Sequence, residues 1–161
     1  MSAAAHSSSE KYVLWLYSRS YHNQFLEISK LYEAGFYRPA FILINQLFEN
    51  IIRSYFDDWC SRDMKKIFTK LVEDLEMTDD EARTINMGDS SLREVRNIVV
   101  HRDCSSYFFE LNGETYSFSE QSTYKVVFDY FYSTIDICID KMLNNLNSGM
   151  LENEGELSEE A

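Results

Sequence analysis

The chain has 161 residues, 45% of them apolar, the length and composition of one domain with a single core; two domains would each bury too little. With 15 basic against 27 acidic residues the formal charge is −12, which argues against an indiscriminate binder of nucleic acid or of anionic membranes. Part of that acidity is terminal, because Glu152, Glu154, Glu156, Glu159 and Glu160 fall in the last ten residues and leave −7 on the rest.

Cys60, Cys104 and Cys138 are widely spaced with no C-x-x-C, so neither a disulfide framework nor a zinc site is indicated and a reducing cytoplasm is expected. Residues 1–9 are small and polar, without the basic and apolar regions of a secretory signal, and are expected to be disordered. The longest apolar stretches, such as residues 12–17, are far shorter than the roughly 20 residues of a membrane-spanning helix, so no membrane partner is expected.

One proline and five glycines leave few breakers, and the apolar pattern is helical almost throughout. A first helix over residues 10–34 carries Leu14, Tyr17, Tyr21, Phe25, Ile28 and Leu31 on one stripe, and Gly35 stops it. Pro39 suits the first turn of a second helix, whose buried stripe is Phe41, Ile44, Phe48, Ile51, Tyr55 and Trp59. The short connection makes these two antiparallel neighbours. A third helix over residues 62–75 bears a local basic strip, Arg62, Lys65, Lys66 and Lys70, most simply read as a solvated face. After a short segment starting at Thr78, Asp89 or Ser90 caps a fourth helix ending at His101 or Arg102.

The period then changes. Residues 107–111 and 114–118 flank Asn112-Gly113, which fills the two left-handed positions of a tight hairpin turn. Ser119 or Ser122 caps a last helix with the stripe Tyr124, Val127, Phe131, Ile135, Cys138, Met142 and Leu146. Gly149 ends it, and residues 149–161 form an acidic tail expected to be disordered. The expected fold is all-α, an antiparallel bundle of about five helices with a small β-hairpin before the last, in a domain over residues 10–148. No glycine-rich phosphate loop and no internal repeat is present.

One constellation carries chemistry. At about 100° per residue, Leu92, Val95, Ile98 and Val99 of the fourth helix share the core side. The opposite side holds Arg96, Asn97, His101 and an out-of-place Val100. A valine there implies a cover, and covering Arg96 and His101 within the same domain would need buried partners for both. A second copy covers them more cheaply, bringing Arg96, Asn97 and His101 of both protomers into one cleft.

Arg96-Asn97-x-x-x-His101 resembles the R-x(4–6)-H signature of HEPN domains. The run from Ala40 through Leu47, Glu49 and Ile52 resembles the second helix of that family, and the resemblance spans residues 12–146. It implies a homodimer whose paired motifs form a metal-independent endoribonuclease, needing no cofactor. Many such proteins are toxins or defence effectors held by an antitoxin or regulatory protein.

The residues suit that chemistry. RNA is cut without a metal when its own 2′-OH attacks phosphorus, given a base, an acid and a cation. His101 suits the proton role and Arg96 offers the phosphate a permanently charged fork. Asn97 orients the ribose, phosphate or imidazole, and Arg93 and Arg102 bind flanking phosphates. Cyclic 2′,3′-phosphate and 5′-hydroxyl ends are the expected products. Relatives silenced by nucleotide transfer carry a tyrosine two residues after the histidine; here Asp103 stands there, so a bound partner is the expected inhibitor.

The bland reading of the same residues is a helix-end histidine and a surface arginine paired with Glu94 or Asp103. Glu49 would then be a polar helix edge, and His22 packing or surface. The functional alternative is a non-catalytic module of the same fold that binds a protein or nucleotide.

Overall fold

The computed structural model describes residues 19–159, with side chains to residue 148. The expectations for residues 1–9, and for Leu14 and Tyr17 at the head of the first helix, lie outside the described residues.

Helix α1 (Arg19–Glu33) ends in a turn at Gly35, whose φ of +83° is open to glycine at little cost. The Phe36 N–H reaches back to the Leu31 carbonyl at 2.9 Å, closing the helix end. Helix α2 (Tyr37–Phe56) follows with Pro39 in its first turn. Phe41, Ile44, Phe48 and Ile51 are buried as their spacing predicts. Trp59 is not: α2 stops at Phe56 on a left-handed Asp57, and Trp59 lies in the following loop, 55% exposed. That loop is held by Arg53, which donates to the Asp58 and Ser61 carbonyls at 3.1 and 2.9 Å.

Helix α3 (Met64–Asp74) is capped by the Asp63 carboxylate. The segment after Thr78 is itself a helix, α4 (Asp79–Asn86), so the expectation of about five helices becomes six α-helices among the described residues. Thr78 and Glu81 form a capping box there, a Thr-x-x-Glu signal strong enough to nucleate a short helix. Helix α5 (Leu92–His101) leads through a short 3-10 turn (Cys104–Ser106) into strands β1 (Phe108–Leu111) and β2 (Glu114–Ser117). These pair antiparallel around Asn112 and Gly113, both at positive φ.

Helix α6 (Gln121–Glu159) closes the chain. Neither expected serine caps it: Ser122 is its second residue, and the Ser119 hydroxyl bonds that of Ser117 at 2.7 Å. Gly149, the expected stop, lies inside it, since one glycine costs a helix only about 1 kcal/mol and no proline follows.

The fold is all-α with a small hairpin before the last helix. Directions follow from end contacts. Tyr21 at the head of α1 donates to the Asn50 carbonyl late in α2, so those two are antiparallel. Arg38 lies over Tyr124 at the head of α6, and Asn145 donates to Tyr55 at the tail of α2, so α2 and α6 run the same way. The three short helices and the hairpin supply the return. Phe131 of α6 lies at the centre, fully buried, with its ring near those of Phe41 and Phe109. No described helix is long and apolar enough to cross a membrane.

Glu81 ties this end of the bundle together, because Lys141 of α6 donates to it at 3.0 Å. The backbone N–H of Thr78 first, and Lys141 next, hold its carboxyl below the ordinary value of 4.5. A carboxyl depressed in the folded state stabilises above its unfolded value, and that contribution fades as pH falls through the folded one. Glu81→Ala is therefore expected to lose about 1 kcal/mol at pH 7. Urea unfolding at successively lower pH should show the gap between variant and parent closing below the ordinary carboxylate range.

Candidate functional site

Helix α5 carries the site, and its start is set one residue later than the sequence suggested. Ser91 is the cap rather than Asp89 or Ser90: its buried hydroxyl accepts from the Glu94 N–H at 3.4 Å and donates to the Gly88 carbonyl at 2.8 Å. Gly88 at φ +92° makes the turn that permits both. Leu92, Val95, Ile98 and Val99 are all buried, which fixes the rotation of the helix and puts Arg96, Asn97 and His101 on its outer side. The helix ends at His101 because Arg102 is extended, with φ −122° and ψ 162°.

Three predicted residues come together. Arg96 Nη1 donates to Asn97 Oδ1 at 3.1 Å and lies 3.0 Å from His101 Nε2. A guanidinium has no lone pair to offer, so Nε2 is the acceptor and the imidazole proton sits on Nδ1. The residue that sequence reasoning undervalued is Glu49 of α2. Arg96 Nη2 donates to Glu49 Oε2 at 3.1 Å, and Arg96 Nε lies 2.6 Å from Oε1. The arginine is thus clamped along one edge by a carboxylate from another helix, and its remaining edge serves Asn97 and His101.

Cover for Arg96 accordingly comes partly from its own domain, contrary to the expectation that a second copy alone would supply it. The pairings proposed with Glu94 and Asp103 do not form. Glu94 takes Arg93 at 2.7 Å, and Asp103 accepts from the Ser105 hydroxyl and N–H at 2.8 and 3.2 Å. Those bonds, hydroxyl first, hold the Asp103 carboxyl below its ordinary value. The signal for Glu49 was its place in the run that resembles the second HEPN helix, a position that spacing alone cannot pair with Arg96.

The remaining two predicted residues stand apart from the imidazole's immediate contacts. Arg93 Nε donates to Asn86 Oδ1 at 2.9 Å, and Asn86 in turn reaches Thr69 of α3 at 3.0 Å. Arg102 turns toward Tyr107, 3.4 Å from its hydroxyl. Val100, between Arg96 and His101 on the helix surface, is 43% exposed.

No family model, no curated protein and no solved structure matches the chain.

Proposed function

We propose that the protein is a metal-independent endoribonuclease of the HEPN type, working as a homodimer, and the observation that carries this is the contact between Arg96 Nη1 and His101 Nε2 at an exposed helix end. The contact poises both groups. The guanidinium, which can only donate, selects the tautomer with its lone pair on Nε2, while that lone pair occupies the one guanidinium nitrogen not turned toward Glu49. A phosphodiester oxygen arriving at Nη1 displaces Nε2 and leaves the imidazole beside the neighbouring 2′-OH. His101 then removes that proton as the oxygen attacks phosphorus, Arg96 meets the charge of the phosphorane, and Asn97 holds the arginine's edge.

Protonation of the leaving 5′-oxygen requires an acid, and His101 of a second copy supplies it. Val100 lies on the surface that such a copy would cover. RNA held in this way would be a defined substrate, because a chain of charge −12 has little general affinity for polyanions. Toxin or defence roles, an inhibitory protein partner and a cytoplasmic setting belong to the same reading.

One observation favours the second reading, a non-catalytic module of this shape. Glu49 already balances the Arg96 charge within the fold, as in an ion pair kept for structure. End-labelled RNA incubated with the purified protein in EDTA decides between them. Cyclic 2′,3′-phosphate and 5′-hydroxyl ends are expected. A confirmed dimer that leaves total RNA, tRNA and rRNA intact would instead favour the binding module.

A further inference from the structure

Carboxylates outnumber basic side chains 27 to 15 in this chain, yet two arginines facing one pocket form no ion pair among the described residues. Arg38 lies over a ring instead, and Arg102 lies over one while giving a single N–H to its hydroxyl. The Arg38 guanidinium lies 5.7 Å from the Tyr124 ring centre and that of Arg102 lies 5.8 Å from Tyr107. Such stacking orients a guanidinium and leaves its N–H groups for other acceptors.

The pocket measures ≈ 340 Å³ and lies where the first turn of α2, the 3-10 turn and the start of α6 meet. Its floor is neutral and internally satisfied. Tyr124 donates to the Phe118 carbonyl at 3.1 Å, so its oxygen accepts from the Cys104 thiol at 3.2 Å. Burial first, and the Cys104 contact next, push the Tyr124 hydroxyl up to about 12, and it stays protonated. The one carboxylate on the wall, Asp103, is engaged by Ser105. What remains to face a ligand is the Arg38 fork, the Arg102 guanidinium apart from the N–H it gives to the Tyr107 hydroxyl, and the Gln121 amide, two positive charges against the one negative charge of the engaged Asp103.

We propose that this pocket binds a phosphate group, and that its source is the RNA strand, at a phosphate flanking the one held at His101. Forks approaching from α2 and from the end of α5 suit an anion with oxygens on several sides better than a flat carboxylate, which one fork satisfies. Arg102 directly follows His101, so the pocket and the catalytic group share the end of one helix. The pocket's volume has room for a nucleotide unit. Arg38, which nothing in the sequence pattern singled out, becomes a substrate-binding residue. The phosphate chemistry stands on the pocket alone; the choice of RNA as source rests on the ribonuclease reading.

The test uses the His101→Ala protein, which leaves RNA whole, and follows a short labelled oligoribonucleotide by fluorescence anisotropy, with adenosine 5′-monophosphate and inorganic phosphate as competitors. Arg38→Gln and Arg102→Gln, both at exposed positions and checked by circular dichroism, are each expected to weaken the oligonucleotide about tenfold. Arg38→Lys should recover part of the loss. Affinity indifferent to both substitutions overturns the pocket. Tighter binding of the mononucleotide than of the oligonucleotide, with the same dependence on Arg38, keeps the phosphate site and overturns RNA as its source. Arg38-dependent RNA affinity in a protein whose parent never cuts RNA sinks the nuclease reading alone, and His101-dependent cutting with affinity indifferent to Arg38 sinks the pocket alone.

Discussion

His101→Ala is expected to lower RNA cleavage about a thousandfold, the range lost when a general acid or base is removed. In the proposed dimer one substitution deletes the base from one protomer and the acid from the other, so the effect is at least that of a single proton-transfer group. The loss should fall on kcat, since the imidazole handles a proton while Arg96 and its neighbours hold the phosphate. His101 is the last, exposed residue of α5, so the variant should fold. The stability change should be about 0.5 kcal/mol, the low end for one hydrogen bond at an exposed position. Single-turnover cleavage in EDTA, with thermal unfolding of the same samples, checks both halves. Activity that survives in the variant would move the chemistry elsewhere or to a contaminant.

Most of the fold was legible because its signals are local. The Asn112-Gly113 turn, the Gly35 stop and the inward stripe of Leu92, Val95, Ile98 and Val99 each follow from backbone preference or helical period within a few residues. Where the reading slipped, a local signal met a competitor. Trp59 kept the period of α2 but lay beyond a left-handed Asp57 that no glycine announced. Ser91 took the cap from Asp89 and Ser90 because the Gly88 turn, not the residue type, decides which oxygen reaches the helix end. The shared direction of α2 and α6 is a long-range property that chain order leaves open.

The candidate site divides in the same way. Arg96, Asn97 and His101 lie within two turns of one helix, so their convergence is written in the spacing. Glu49 and Arg38 both lie on α2, far along the chain, and only packing brings Glu49 to Arg96 and Arg38 to the pocket that Arg102 lines. A helix whose inner stripe builds the core thus also supplies, from its flanks, the groups that orient or extend the motif on α5.

Glu49→Ala tests whether that supply matters, and it is expected to cost about 2 kcal/mol of stability. Removing one member of a fully buried pair costs about 3–5 kcal/mol. This pair keeps 21% and 14% of its side-chain surface in contact with water, so solvent recovers part of that loss. Arg96→Ala should cost a similar amount, and the double variant less than the two together, a coupling that urea unfolding of the three proteins reads directly. Catalysis separates positioning from mere structure. Without Glu49 the guanidinium carries an unbalanced charge and is free to swing. Substrate should then bind more tightly while the fork sits out of line, so KM falls and kcat falls about tenfold. Glu49→Gln keeps an acceptor and the packing of α2, and should recover most of the stability but only part of kcat. A variant that loses stability with kcat and KM both unchanged would make the Glu49 clamp a structural ion pair and nothing more.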